Sequence, residues 1–81
     1  MTRIIYSELA RADVRRLDRD TAMRILSALH RLAETGQGDV KRLMGQTEEL
    51  RLRVGDYRVR FTEESDTLHI NRVLHRKEVY R

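Results

Sequence analysis

Residues 50–61, with the sequence LRLRVGDYRVRF, alternate between apolar and cationic side chains on both sides of a Gly-Asp pair. Because successive side chains of a β-strand point to opposite faces, each half places its apolar residues on one face and its arginines on the other. Gly55 and Asp56 are residue types that tight hairpin turns favour. The pattern therefore predicts a β-hairpin with an apolar face and a cationic face. The apolar face comprises Leu50, Leu52, Val54, Tyr57, Val59 and Phe61, and the cationic face comprises Arg51, Arg53, Arg58 and Arg60.

The chain has 81 residues and no cysteine, which limits both its architecture and its chemistry. A domain of this size buries roughly 60% of the surface that its unfolded chain exposes, so we expect one small core over residues 1–81. Without cysteine there are no disulfides, thiolate nucleophiles or the usual zinc sites, which is compatible with a reducing cytoplasm. No apolar run approaches the roughly 20 residues of a membrane span, and the start of the sequence lacks a signal-peptide core. The histidines also lack metal-ligand spacing, so we expect a single cytoplasmic domain with no metal and no cofactor.

The charge of the chain is high and unevenly distributed. Charged residues make up 37% of the sequence, against roughly 25% in typical globular domains, and the net charge is +4 with a pI near 10.1. Residues 41–81 carry ten cations and seven acids, so most of the excess lies in the predicted hairpin and the segment after it. A basic surface favours a polyanionic partner, namely nucleic acid, an acidic protein segment or anionic lipid. Charge alone does not choose among these partners, and before any motif is considered a merely solvated face is the favoured interpretation.

The first half of the chain predicts a helical hairpin. Ser7 is a suitable N-cap for a helix over residues 8–17, and Asp20 is a suitable N-cap for a second helix. Gly36 and Gly38 then end the second helix. Both helices are amphipathic, so their apolar stripes are expected to pack on a sheet. The stripes comprise Ala10, Val14 and Leu17 in the first helix, and Ala22, Ile25, Leu26, Leu29, Leu32 and Ala33 in the second.

Strand patterns flank the two helices. Residues 2–6 (TRIIY) predict a first strand, and residues 40–43 form a short basic segment ahead of the hairpin. Residues 67–74 (TLHINRVL) predict a last strand in which Arg72 breaks the alternation, which indicates a bulge or a strand end there. The tail, residues 75–81, continues as strand or ends as a turn of helix. The predicted fold is a single α+β domain in the order β-α-α-β-β-β, with the helical hairpin packed on a mainly antiparallel sheet.

Two stretches resemble the RelE/ParE superfamily of toxins from bacterial type II toxin–antitoxin systems. Residues 41–61 (KRLMGQTEELRLRVGDYRVRF) are similar to the Leu-x-Arg-x-Gly-Asp-Tyr-Arg-Val pattern of the superfamily, and residues 73–81 (VLHRKEVYR) are similar to its terminal basic-Glu-Val-Tyr motif. Both occur in the expected order and spacing. The resemblance implies a RelE-like fold, similar to microbial ribonucleases.

The branches of this superfamily differ in activity. The resemblance implies one of two activities: ribosome-dependent cleavage of messenger RNA, as in RelE-like members, or inhibition of DNA gyrase without nuclease activity, as in ParE-like members. In either case it implies a cognate antitoxin, RelB-like for the first branch. The first branch is favoured because residues of usable types occupy its functional positions, although the Gly-Asp-Tyr-Arg element is shared by both. These residues are Arg51, Arg53, Arg58, Arg76 and Tyr80.

Each of these residues fits a role in cleavage by attack of the ribose 2′-OH on the adjacent phosphate. Arg58 and Arg76, with Arg53, would stabilise the charge that builds on the phosphoryl oxygens. Tyr80 would stack on a base or take the 2′-proton. Since arginine does not deprotonate in a protein, His75 is the natural candidate for protonating the leaving 5′-oxygen. Further contacts to the RNA backbone are expected from Arg51, Lys41, Lys77 and Arg81.

Other interpretations of the same residues remain open. Arg60 and Arg72 can serve an antitoxin interface instead of RNA, and a non-toxic basic binding module is a third functional class. Tyr57 is expected to be a core aromatic residue. Glu48 and Glu49 are read as solubilising groups, since they alternate faces and do not form an acid/base pair.

Overall fold

A computed structural model of the chain describes residues 2–42 and 48–79, with the side chain of Val79 excluded. A single five-stranded sheet has the spatial order β1-β5-β4-β3-β2. β1 runs parallel to β5, and every other neighbouring pair is antiparallel. The predicted α+β fold with a mainly antiparallel sheet is therefore confirmed. The elements are β1 (Arg3–Tyr6), α1 (Glu8–Arg15), α2 (Arg19–Thr35), β2 (Asp39–Arg42), β3 (Leu50–Val54), β4 (Tyr57–Glu64), β5 (Thr67–His75) and α3 (Arg76–Val79).

The predicted hairpin is formed by β3 and β4. Leu50 lies opposite Phe61 and Leu52 lies opposite Val59, so these apolar side chains share one face of the sheet. Gly55 in the turn has a φ of +60°, a conformation that costs glycine little because it has no Cβ. The apolar face of the hairpin is thus directed into the core, as the alternation predicted.

The two long helices cover the apolar face of the sheet. The Ser7 side chain accepts a hydrogen bond from the Ala10 N–H, which confirms Ser7 as the N-cap of α1. The predicted N-cap of α2 was wrong: Asp18, not Asp20, accepts from the Thr21 N–H. Asp20 lies in the first turn instead, where its charge favours the helix dipole.

One small core joins the sheet to the helices. It contains residues from α1, α2, β3, β4 and β5, and each is almost completely buried. None of the helices in the described part of the chain is long and apolar enough to cross a membrane. The core comprises Ala10, Ile25, Leu29, Leu52, Val59, Phe61, Leu68, Ile70 and Val73.

The basic segment before the hairpin contains a strand that the sequence reading did not identify. β2 (Asp39–Arg42) pairs antiparallel with β3 and forms one edge of the sheet. Val40 is its one apolar residue, so the alternation that identifies a half-buried strand is nearly absent. Leu43, which the same segment included, lies outside the described residues.

The irregularity predicted near Arg72 is a bulge. Arg60 lies opposite Arg72, whereas the next residue, Phe61, lies opposite Ile70. Asn71 is therefore an extra residue on β5. The bulge lets both Ile70 and Val73 face the core, which accounts for the broken alternation.

Candidate anion-binding face

The sheet face opposite α1 and α2, called here the open face, carries rows of cations that cross the strands. Lys41 on β2 lies opposite Arg51 on β3, and Arg51 in turn lies opposite Arg60 on β4. In the next row of the sheet, Arg53 lies opposite Arg58 on β4 and opposite the acidic Asp39 on β2. Like charges directly opposite one another on antiparallel strands destabilise a sheet. An arrangement that keeps four arginines in two such pairs is suited to holding an anion between them.

Arg58 is the most unusual cation of the open face because it is only 7% exposed. Its Nη1 atom donates to the main-chain oxygens of Gly55 and Tyr57, each at 3.1 Å. Its Nε atom is buried without a hydrogen-bond partner, and no carboxylate in residues 2–42 and 48–79 forms an ion pair with it. Burying a charge without a counter-ion costs several kcal/mol of free energy. An ion pair would recover an amount of the same order. The guanidinium is therefore fixed by the turn, with an Nε–H that is suited to donate to an anion.

Arg51 repeats the same feature in the neighbouring row. Its Nε atom is also buried and has no hydrogen-bond partner in the part of the chain that the structure describes. Arg51 and Arg58 lie diagonally across the hairpin, because Arg51 is opposite Arg60 and Arg58 is opposite Arg53. Two unsatisfied guanidinium N–H groups on one face form a preorganised set of donors, which suits a phosphate with several acceptor oxygens.

The start of α3 lies at the hairpin turn, beside Arg58. The Arg76 N–H donates to the main-chain oxygen of Asp56 at 2.7 Å, which fixes the first residue of α3 to the turn. The side chains of Arg76 and Lys77 are exposed. The structure thus brings Arg76 to the same end of the sheet as Arg58, as the proposed shared role requires.

His75 is placed differently from the expectation. Its ring meets the Tyr57 ring edge-on at 5.1 Å between centroids, and Tyr57 packs against the core. Tyr57 and His75 are register partners on the helix-covered face of the sheet, whereas Arg58 lies on the open face. Adjacent residues of a strand point to opposite faces, so Tyr57 and its partner His75 face the helices while Arg58 faces the open side. The structure therefore does not bring the His75 side chain together with the arginines of the open face.

His75 has a clear structural role at this position. Its Nδ1 atom accepts from the Lys77 N–H at 3.2 Å, and its own main-chain N–H donates to Glu78 at 3.0 Å. This reciprocal pair has the geometry of a capping box at the start of α3, with His75 as the N-cap. A cap, and not a proton donor, is the role that these contacts support.

Arg72 differs from the other cations of the sheet because it forms an ion pair with an acid of α1. Asp13 is only 7% exposed and accepts from Arg72 Nε at 2.8 Å, from Arg72 Nη2 at 3.1 Å and from the Val73 N–H at 2.9 Å. Burial disfavours the charged carboxylate, but these hydrogen bonds, with the charges of Arg72 and Arg16, outweigh it and lower the pKa of Asp13. Arg72 is thus neutralised and tied to α1.

A carboxylate also lies among the cations. Glu49 Oε2 accepts from Asn71 Nδ2 at 3.0 Å, which joins the start of β3 to the bulge of β5 across β4. Glu49 is half-buried, whereas Glu48 is exposed. Reading both residues as solubilising groups was therefore incomplete, and the broken alternation around Arg72 was the sequence signal that pointed to this region.

The predicted site residues fall into three groups. On the open face, the structure brings together Lys41, Arg51, Arg53 and Arg58, with Arg60 completing the second arginine pair. Near the turn it places the exposed Arg76 and Lys77, while Tyr80 and Arg81 lie outside the described residues.

Within residues 2–42 and 48–79, no three His, Cys, Asp or Glu side chains come together in a way that could hold a metal ion.

The fold and this face define a small α+β domain with a cationic sheet surface. A family model described as "ParE toxin of type II toxin-antitoxin system, parDE" matches residues 4–80. The chain therefore belongs to the ParE toxin family of type II toxin–antitoxin systems. This finding, with the relatives below, confirms the resemblance to the RelE/ParE superfamily.

Similar proteins include named RelE toxins. Toxin RelE3 of Methanocaldococcus jannaschii is 43% identical over 42 residues, which are 52% of this chain and 48% of that protein. The chain thus spans about half the length of this curated relative. A chain of the RelB-RelE antitoxin-toxin complex from Methanococcus jannaschii superposes with a TM-score of 0.78 at 25% identity, covering 94% of each chain. A chain of the toxin-antitoxin complex RelBE2 from Mycobacterium tuberculosis gives a TM-score of 0.80 at 22% identity, covering 91% of this chain and 96% of that chain, which is a likeness of fold.

Proposed function

We propose that this toxin is a ribosome-dependent endoribonuclease that cleaves messenger RNA and so inhibits translation. The observation that carries the proposal is Arg58, a buried guanidinium that has no counter-ion among residues 2–42 and 48–79 and lies on a face lined by further arginines. Guanidinium donors of this kind suit an anion with several acceptor oxygens, and the scissile phosphate of RNA is such an anion. The proposed target places the protein in the cytoplasm, where ribosomes are found.

In the proposed reaction the ribose 2′-oxygen forms a bond to the adjacent phosphorus, and the bond from phosphorus to the 5′-oxygen breaks. Arg58, Arg53 and Arg76 stabilise the negative charge on the phosphoryl oxygens, which is larger in the transition state than in the ground state. Arg51 and Lys41 hold the RNA backbone in register. Tyr80 accepts the 2′-proton or stacks on a base, and the leaving 5′-oxygen takes a proton from water, since His75 faces away. The products are a 2′,3′-cyclic phosphate and a 5′-hydroxyl.

A cognate RelB-like antitoxin is the partner that we propose for this chain. The solved complexes of similar fold pair a RelE toxin with RelB. A groove of about 610 Å³ lies between α2 and the β2–β3 edge, where the apolar Met23 and Leu52 are flanked by Arg24, Arg31 and Arg53. This combination suits an acidic, amphipathic segment that folds as it binds. Because Arg53 also belongs to the open face, a segment bound in the groove can extend onto that face, and occlusion of the face or displacement of the tail is the proposed route of neutralisation. An antitoxin footprint that spares both would contradict this proposal.

The function is tested by translating a defined message with purified ribosomes and the purified toxin, then mapping any new RNA ends. We expect cleavage of ribosome-bound message that is lost in Arg58→Ala and Arg76→Ala and strongly reduced in Tyr80→Phe. Intact message together with gyrase-linked DNA breaks would support the alternative activity, gyrase inhibition. Growth that is unaffected by expression of the toxin would leave only a non-toxic binding module.

The capping role of His75 predicts that its substitutions differ by capping ability and not by acidity. His75→Asn should retain most of the cleavage rate, because asparagine caps helices well but cannot exchange a proton. His75→Ala should lose more, since α3 and with it Arg76 would be held less firmly at the turn. Rates of message cleavage by the two variants, compared with the wild type, distinguish these roles. Equal losses in both variants would instead favour a proton-transfer role.

A further inference from the structure

A row of three cations crosses the open face beside the pair formed by Arg53 and Arg58. Lys41, Arg51 and Arg60 are register partners on β2, β3 and β4, and they are called here the Arg51 row. Side chains directly opposite one another on antiparallel strands have Cβ atoms about 5 Å apart, so the row holds three positive charges close together. An anion bound among them would offset their mutual repulsion.

The charges of the Arg51 row are not neutralised by the part of the chain that the structure describes. Arg72 lies opposite Arg60 and is the next cation across the sheet, but its guanidinium is paired with the Asp13 carboxylate at 2.8 Å. No ion pair of this kind joins a described carboxylate to any member of the Arg51 row. Arg72 is thus a structural cation, whereas the Arg51 row can accept an anion from solution.

Two acids flank the Arg51 row, one on each side along the strands. Asp39 lies opposite Arg53, in the neighbouring row towards the turn. Glu49 is two residues before Arg51, so it lies one row away in the other direction, where Asn71 donates to it at 3.0 Å. Because a carboxylate repels phosphate, an RNA backbone is favoured in the two rows of arginines and disfavoured beyond the Arg51 row.

The spacing of the two rows matches the repeat of a nucleic-acid backbone. Arg53 follows Arg51 by two residues on β3, and Arg58 precedes Arg60 by two residues on β4, so the rows are about 7 Å apart. Successive phosphates of an extended RNA strand are separated by a similar distance. A strand that runs along β3 with its scissile phosphate at Arg53 and Arg58 therefore brings a neighbouring phosphate to the Arg51 row.

We propose that the Arg51 row binds the phosphate next to the scissile one, with Arg51 and Arg60 donating hydrogen bonds to its non-bridging oxygens. The inference rests on the proposed function and deepens it, because it assigns Arg60 to the substrate and sets two as the number of phosphates that the open face holds. This contact is the same in the ground state and in the transition state. It therefore contributes to binding of the message and not to the chemical step.

The test pairs a change in the message with a change in the toxin. Synthetic messages carry one uncharged methylphosphonate linkage immediately before or immediately after the scissile linkage, and a 2′-O-methyl group on the ribose at its 5′ side keeps that linkage intact. The reference message carries the same 2′-O-methyl group and an ordinary phosphate. We expect the wild type to lose about tenfold in kcat/KM at one of these two linkages, because a hydrogen bond to a charged group contributes roughly that factor.

The variants show whether Arg60 is the group that meets this phosphate. Arg60→Gln should lower kcat/KM on the reference message by a similar factor, and the methylphosphonate should then cost this variant less than about twofold, since interacting groups are not additive. Arg60→Lys keeps the charge and should keep most of the sensitivity to the neutral linkage, so a loss seen only with glutamine follows the charge and not the fold. Arg42→Gln is the matched control and should behave as the wild type. Arg42 is an exposed arginine of the same sheet that lies opposite Leu50, on the face away from the Arg51 row.

A second measurement keeps the inference separate from the nuclease proposal. Binding of a short 2′-O-methyl RNA, which cannot be cleaved by attack of a 2′-OH, is measured by fluorescence anisotropy at several salt concentrations. Loss of one phosphate contact lowers the slope of log affinity against log salt concentration by about 0.7, so Arg60→Gln should show this smaller slope and Arg42→Gln should not. This result, found with a toxin that cuts no message, would uphold the phosphate contact of the Arg51 row and overturn the proposed function.

Two results would overturn the inference alone. One is message cleavage in which the neutral linkage lowers kcat/KM equally for the wild type and for Arg60→Gln, or lowers it at neither neighbouring position. The other is an Arg60→Gln toxin that cleaves as fast as the wild type but is no longer neutralised by the antitoxin, which would assign Arg60 to that interface.

Discussion

Arg58→Met is expected to lower the rate of message cleavage by at least about a hundredfold while leaving the folded state as stable as before, or more stable. Methionine is uncharged and replaces the aliphatic part of the arginine side chain, without its guanidinium. The loss of rate follows from removing donors that stabilise the transition state. The preserved stability follows because the substitution removes a buried guanidinium that has no counter-ion in the described residues.

This pairing of effects separates a functional cation from a structural one. A structural arginine stabilises its own fold, so its replacement by an apolar residue lowers the free energy of unfolding. Arg58 does make two hydrogen bonds to the turn, but both acceptors are main-chain oxygens beside the exposed Gly55, where water can replace the guanidinium. Losing these two hydrogen bonds therefore costs less free energy than is gained by removing the unpaired buried charge.

The measurement combines urea unfolding with the cleavage assay. Arg31→Met is the matched control, because Arg31 is exposed on α2, away from the open face. It should leave the cleavage rate near that of the wild type. A large fall in the free energy of unfolding of Arg58→Met, with cleavage lost only in proportion to the unfolded fraction, would show that Arg58 acts through stability.

The sequence predicted the hairpin well because its signal is local. A period of two on both sides of a Gly-Asp turn defines the two strands, their register and the face that each side chain takes. Arg51, Arg53, Arg58 and Arg60 were therefore assigned to one face without any knowledge of the remaining chain. Alternation gives direction only, however, so it did not predict that Arg58 would be almost completely buried.

Local sequence patterns did not predict the edge strand β2 or the contacts between residues far apart in the chain. β2 (Asp39–Arg42) buries little, so its sequence resembles a loop even though it extends the cation row through Lys41. The acids of the site depend on contacts between distant parts of the chain. Asp13 lies 59 residues from Arg72, and Glu49 lies 22 residues from Asn71. A helix pattern places such an acid on a polar face, and only the folded sheet supplies its partner.

His75 shows that a residue type suited to proton transfer does not by itself establish where its side chain lies. A histidine beside Arg76 is a reasonable proton donor when only the order of residues is known. The strand continues to His75, however, so it takes the direction of Tyr57 and faces the core side, while α3 begins at the next residue. Strand direction and capping geometry favour a structural role for His75, which the His75→Asn and His75→Ala variants test.

Asp13→Asn is expected to destabilise the fold by about 3 kcal/mol at neutral pH, a large fraction of the stability of a small domain. Asparagine keeps the shape of the side chain but loses the charge that faces Arg72. One carboxylate oxygen of aspartate is also replaced by an amide nitrogen, which cannot accept a hydrogen bond from the Val73 N–H or from Arg72. The substitution therefore leaves a buried main-chain donor or a guanidinium without its partner, and it loosens α1 from the bulge that carries Asn71.

The same carboxylate gives the wild type a characteristic dependence on pH. Since the pKa of Asp13 is lowered in the folded state, its contribution is fully present above the unfolded value of about 4 and is lost as the pH falls through the folded value. The difference in free energy of unfolding between the wild type and Asp13→Asn should thus be constant near pH 7 and shrink below pH of about 4. Asp18→Asn is the matched control, because asparagine replaces aspartate well as an N-cap, and it should change stability little. Urea unfolding at a series of pH values measures both variants. A difference for Asp13→Asn that stays the same down to strongly acid pH would show that shape, and not the ion pair with Arg72, accounts for the effect.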